Sequence, residues 1–166
     1  MRVLVALGSN LGDRLAHLQA GLEGLRELGE VITSPLVMET PDESGTGPAY
    51  LNTIAWIDTD LDNADLDNPC RILEALLRLE LRMGRSRRGA IRNAPRTLDL
   101  DLIDAEGLSG NWRWPTPQDL ADLGPELTLE LPHPRALARP FVMEPLKALK
   151  YEAPHLFGCG ASFSLV

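Results

Sequence analysis

The chain predicts an α+β fold, one antiparallel sheet with helices on one of its faces, followed by a C-terminal extension. Three observations predict it. Strand and helix periodicities follow one another in the order β-α-β-β-α-β, the ferredoxin-like pattern. Both helical stretches are amphipathic, so each has one apolar stripe to bury. At 166 residues, 44% of them hydrophobic and 24% charged, the chain has the size and composition of a single globular domain, expected over 1–166.

The elements read in order as follows. Residues 3–7 (VLVAL) form an apolar run closed by Gly8-Ser9-Asn10, a first strand rather than a signal peptide, the run being too short. Leu11, Leu15, Leu18, Leu22 and Leu25 recur with helical spacing, and Gly29 ends that helix. Residues 30–40 and 50–60 read as strands around a Gly/Pro-rich loop at 41–48. A second helix starts at Asn68-Pro69, a cap followed by proline at the first helical position, and stops at Gly84. An arginine-rich loop leads into a strand at 97–103. Residues 104–127, with Trp112, Trp114 and three prolines, are expected to be irregular, an atypical insertion. A last unit at 132–149 contains a short helix.

Composition excludes several functions. A net charge of −8 argues against a general nucleic-acid binder, and 5% aromatic residues give no base-stacking surface. No apolar run reaches the roughly 20 residues of a membrane span. Cys70 and Cys159 have neither metal-ligand nor redox spacing, so the cytoplasm is the expected compartment. Arg82, Arg85, Arg87, Arg88, Arg92 and Arg96 supply six of 16 basic residues, with no acid between Glu80 and Asp99. Such local concentration in an acidic protein points to an anionic target.

Thr97-Leu98-Asp99-Leu100-Asp101-Leu102 alternates strictly, so the leucines face one way and Asp99 and Asp101 the other. Their Cα atoms then stand roughly 7 Å apart. Two carboxylates so placed are ligands for one or two magnesium ions, or simply the solvent face of an edge strand. The arginines just upstream favour the first reading, because guanidinium groups grip phosphate bidentately. Carboxylates for metal beside arginines for phosphate make a phosphoryl-transfer constellation. Glu80 falls on the apolar stripe of the second helix, where a carboxylate needs a cation or a site to serve; both readings stand. Tyr50 and Asn52 share one strand face, and His133 lies in the proline-flanked turn Leu131-Pro132-His133-Pro134-Arg135. Gly8-Ser9-Asn10-Leu11-Gly12 reads as a strand-to-helix turn more readily than as a phosphate loop.

From residue 3 to about 154 these segments resemble the hydroxymethyldihydropterin pyrophosphokinases. The matching motifs are ALGSNLGDR, ETP, AYLNTIAWIDT, LELRMGR, PRTLDLDL and LPHPRALARPFVMEPL. PRTLDLD and LPHPR together are highly specific to that family. The resemblance implies transfer of the β,γ-diphosphate of ATP to 6-hydroxymethyl-7,8-dihydropterin, releasing AMP, by a monomer with these small molecules as its only partners. It implies Asp99 and Asp101 as ligands of two Mg2+ ions, and Arg85 and Arg96 as the catalytic cations. Glu80, Arg87, Arg88, Leu102, His133 and Arg139 are the implied ATP contacts, with Arg87 and Arg88 in a closing loop. Thr40, Pro41, Tyr50, Asn52 and Phe141 are the implied pterin contacts. Four departures from the family pattern stand out: Asn93-Ala94 replaces a tryptophan-glycine pair, Leu77 a glutamine and Asp42 a proline, and 104–127 is long. Asn93-Ala94 and Leu77 motivate a second expectation, a non-catalytic or weakly active pterin- or nucleotide-binding relative.

Overall fold

The computed structural model describes residues 1–42, 45, 47–59, 68–84, 97–158 and 162–165. Its elements are β1 (Arg2–Ser9), α1 (Arg14–Arg26), β2 (Gly29–Thr33), β3 (Met38–Thr40), β4 (Tyr50–Thr59), α2 (Pro69–Arg82), β5 (Asp99–Ala105), β6 (Gly110–Pro115), β7 (Glu126–Leu131) and α3 (Pro140–Glu152). Short 3₁₀ turns lie at Gln118–Leu123, Ala136–Ala138 and Pro154–Phe157. The fold is α+β. Its main sheet runs β2-β4-β1-β5, antiparallel throughout, with β3 pairing the start of β4.

Alternation along the central strands gives the sheet two apolar faces. Val3, Val5, Leu7, Ile57, Leu100 and Leu102 pack under α1 and α2. Leu4, Ala6, Ile54, Trp56 and Ile103 pack under α3 and the C-terminal segment. The expected helices on one face are α1 and α2; α3, in the C-terminal extension, covers the other.

Local chemistry explains most boundaries. The Asn68 side chain accepts the Cys70 N–H at 2.8 Å, and Pro69 occupies the first turn of α2, as the sequence predicts. Asp13 caps α1 by accepting the Ala16 N–H at 3.0 Å. The α1 stripe is shorter than the leucine spacing predicts: Leu18 and Leu25 are buried, while Leu11 and Leu15 remain exposed. Gly24 lets α1 approach α2 so closely that a Cβ there would overlap Leu79. The strand expected at 30–40 is two strands, because Pro35 lacks a ladder N–H. Ser34 takes over at the break, donating to Pro145 O at 2.7 Å and accepting the Leu36 N–H at 3.1 Å.

Residues 104–127 are not irregular. Asp104 and Ala105 still belong to β5, and β6 and β7 form a hairpin pairing Gly110 with Leu131 and Pro115 with Glu126. Period-two burial on β7 places Leu127, Leu129 and Leu131 inward, and the prolines sit at the strand ends. Among the described residues no helix is long and apolar enough to cross a membrane.

Candidate active site

Strand register assembles the site. β1 lies between β4 and β5, and Gly8 is opposite Asn52 on one side and Asp99 on the other. One row further in, Ala6 is opposite Ile54 and Asp101. Ala6, Ile54 and Ile103 face α3, so Asn52, Gly8, Asp99 and Asp101 share that face. Strand spacing puts the Cα atoms of Asn52 and Asp99 about 10 Å apart. The side-chain-free backbone of Gly8 lies between them.

The β4 side of this row is polar and braced. Asn52 is 7% exposed, and its Nδ2 donates to Thr40 Oγ1 at 2.9 Å and to Met38 O at 3.4 Å. Its Oδ1 is left facing Gly8, 3.2 Å from where a Cβ would stand. Beyond Thr40, a cavity of about 350 Å³ is lined by Glu39, Thr40, Pro41, Asp42, Gly45, Gly47 and Ala49. Asp42 folds this loop back, accepting the Gly47 N–H at 3.0 Å. Arg14 and Asn10 anchor its far end, donating to Ala49 O at 2.8 Å and Pro48 O at 3.2 Å.

The β5 side is ionic. A register shift between Leu4 and Val5 leaves one extra residue in β5, placing both Ile103 and Asp104 towards α3. The carbonyl of Ile103 accepts the His133 N–H at 2.7 Å, which pulls the 131–135 turn alongside Asp101. Arg139 Nη1 donates to Asp101 Oδ2 at 3.4 Å, and its guanidinium lies 5.3 Å from the centroid of the Phe141 ring. Burial lowers the His133 pKa, against the opposing pull of the Asp101 charge, with Arg139 and Arg135 adding to the lowering. The shift favours the neutral ring. Its Nδ1 accepts the Arg135 N–H at 3.2 Å, leaving Nε2–H as the donor it offers.

α2 braces β5 from behind. Glu80, 1% exposed, accepts the Leu100 N–H at 2.7 Å, between the two aspartates. Thr97 donates to Met83 O at 2.7 Å, so the chain leaves the described residues at 84 and re-enters at 97 beside the aspartate strand.

The structure thus brings together Thr40, Tyr50, Asn52, Asp99, Asp101, His133, Arg139 and Phe141 on the α3 face or its rim. Leu102 is different: its side chain, 2% exposed, lies in the core under α1 and α2, leaving only its main chain for a ligand. Arg85, Arg87, Arg88 and Arg96, with Arg92 and Asn93-Ala94, lie outside the described residues. The sequence places Gly8 in the turn that closes the first strand, but β1 continues through Ser9, and the place of Gly8 in the row follows from pairing between strands rather than from any one strand's pattern. Sequence reasoning missed Glu74, which is buried and accepts the Trp114 Nε1–H at 2.9 Å. A hydrophilic residue at the inward helical position between Leu73 and Leu77 was the available signal.

The family profile described as 7,8-dihydro-6-hydroxymethylpterin-pyrophosphokinase matches residues 4–151. A 2-amino-4-hydroxy-6-hydroxymethyldihydropteridine pyrophosphokinase of Pseudomonas aeruginosa is 38% identical, across 89% of this chain and 80% of that protein. Its namesake in Mycobacterium leprae is 36% identical, across 92% of this chain and 73% of that protein. A mitochondrial folate synthesis bifunctional protein of Pisum sativum is 36% identical, across 89% of this chain but 25% of its own length. Similarity of this extent spans every strand and helix that builds the Asn52–Gly8–Asp99 row, and the chain belongs to the 7,8-dihydro-6-hydroxymethylpterin-pyrophosphokinase family.

Proposed function

We propose that this chain transfers the β,γ-diphosphate of ATP to the hydroxymethyl group of 6-hydroxymethyl-7,8-dihydropterin, releasing AMP, as a step of folate synthesis. One observation carries the reading. A braced amide for a heterocycle edge and a carboxylate pair for a cation-bound polyphosphate stand on one sheet face, two strands apart. We read the sheet as ferredoxin-like, with α1 and α2 as its two crossovers; the order β2-β4-β1-β5 and antiparallel pairing support this.

The pterin lies on the β4 side. Asn52 hydrogen-bonds its polar edge, oriented by Thr40, while the main chain near Pro41 closes the end and Tyr50 and Phe141 offer ring faces. The nucleotide lies on the β5 side, where His133 Nε2–H and the Arg139 guanidinium bind phosphate or ribose oxygens. Glu80 holds the aspartate strand in place, and Leu102 contributes main-chain atoms. Arg85 and Arg96 neutralise the transferring groups, and Arg87 and Arg88 cover them.

Asp99 and Asp101 fit magnesium by their chemistry. They offer hard oxygens, and among the described residues no three acids, histidines or cysteines gather into an all-protein cage. A pair suits a cation that takes its other oxygens from phosphates and water. Two Mg2+ ions, when bound, supply charge neutralisation along the triphosphate. The residues then have one task, to hold the pterin hydroxyl in line with the β-phosphorus. The hydroxyl oxygen bonds the β-phosphorus as the bond from that phosphorus to the AMP oxygen breaks. AMP keeps the electron pair and the hydroxyl proton passes to solvent, so no side-chain nucleophile is required.

Two departures from the family pattern have structural roles. Leu77 packs against Leu120 and Leu127 of the 116–127 region, and Asp42 ties its own loop. The test is AMP formation from ATP by purified protein, with magnesium and the pterin present. Equal amounts of AMP and diphosphorylated pterin are expected; no AMP from well-folded protein rejects the reading.

A further inference from the structure

Gly8 is the next-to-last residue of β1, still paired on both sides, where glycine has an entropic cost and offers nothing to pack. Nothing in its backbone demands glycine: it is not among the residues with positive φ. Space is the remaining reason. The atoms nearest to a Cβ built there are Asn52 Oδ1 at 3.2 Å, then Tyr50 Cδ1 at 3.4 Å and Cε1 at 3.8 Å. By contrast, the atoms nearest to a Cβ on Gly21 belong to Leu98 and Leu7, both core side chains.

Asn52 cannot yield easily. Its Nδ2 is tied to Thr40 Oγ1 and Met38 O, so pressure on Oδ1 would turn the amide out of its bonded orientation. The crowding is also one-sided, because all three nearest atoms belong to β4 and none to Asp99 or Asp101.

We infer that Gly8 is a positioning residue for the pterin: its missing side chain keeps the Asn52 amide and the Tyr50 ring flush with β1, forming the floor on which the flat heterocycle rests. This rests on the reading proposed above for the Asn52 side of the site. A methyl group at this position would raise the floor beneath the heterocycle while leaving the carboxylate side intact.

The experiment compares wild type, Gly8→Ala and Gly21→Ala. Calorimetry measures pterin binding in the presence of magnesium and a non-hydrolysable ATP analogue, and binding of the analogue itself. Steady-state kinetics supply the KM for each substrate. For Gly8→Ala, pterin affinity is expected to fall at least tenfold and the pterin KM to rise in step, with analogue affinity within twofold of wild type. For Gly21→Ala, a lower thermal midpoint without a selective pterin defect is expected. The inference is overturned if Gly8→Ala binds pterin within twofold of wild type. It is equally overturned if pterin and analogue affinity fall together, which would mark a general packing defect. If wild type itself binds no pterin, the reading of the whole site fails, a result distinct from either.

Discussion

At the residue scale, the aspartate pair shows how alternation becomes chemistry. Leu98, Leu100 and Leu102 are each no more than 3% exposed, which fixes the rotation of β5 and turns Asp99 and Asp101 to the α3 face. That much was legible in TLDLDL. What meets Asp101 was not. Arg139 and His133 reach it from a turn more than thirty residues away, through a main-chain bond to Ile103 at a register shift that no local pattern announces. On the metal reading proposed above, replacing either carboxylate would remove a ligand oxygen, and neither side chain belongs to the apolar core. Asp99→Asn and Asp101→Asn should therefore keep the wild-type thermal midpoint while losing more than about a hundredfold in turnover. AMP release followed across a magnesium titration checks this, and wild-type rates in either variant would remove the metal assignment.

At the element scale, α2 is where sequence and structure agree best and where they part. Its cap, first-turn proline and apolar stripe were all readable, since each is a local signal. Its outer contacts were not, because they depend on the β6–β7 hairpin, whose inward leucines and tryptophans are split by a 3₁₀ turn. Leu77 meets Leu120 and Leu127, while Glu74 takes the Trp114 Nε1–H and the guanidinium groups of Arg71 and Arg78. Arg78 reaches on to Asp119 at 2.6 Å, a bond that raises the arginine pKa and lowers that of the aspartate. The exposed Arg78–Asp119 pair adds little to stability, whereas the buried Glu74 oxygen needs its donor. Trp114→Phe keeps the ring packing and deletes that donor. Urea unfolding should show a loss of about 1–3 kcal/mol. A variant as stable as wild type would mean the hairpin is held by its apolar face alone.

At the scale of the whole molecule, the α3-side layer is closed by the end of the chain. Gly107 N–H donates to Ser162 O at 3.0 Å, Phe163 packs against Phe157, and Asp104 accepts the Leu165 N–H at 3.0 Å. Asp104 is fully buried, and this layer carries the site's α3 wall, so its ionisation bears on the stability of the fold. Burial raises its pKa above the ordinary 3.8, opposed by the N–H groups of Leu165, Ala105 and Ser164. A carboxyl raised on folding favours the folded state while it is protonated. That contribution is full below 3.8 and is lost as pH rises through the raised folded value. Asp104→Asn mimics the protonated form at every pH. Wild type should therefore lose stability relative to Asp104→Asn as pH climbs from about 4, with the difference levelling once the group is ionised. Urea midpoints measured stepwise between about pH 4 and 7 at constant ionic strength give the slope. A wild type that gains on the variant as pH rises would show that the three main-chain donors outweigh burial, and that the C-terminal latch is held by charge rather than in spite of it.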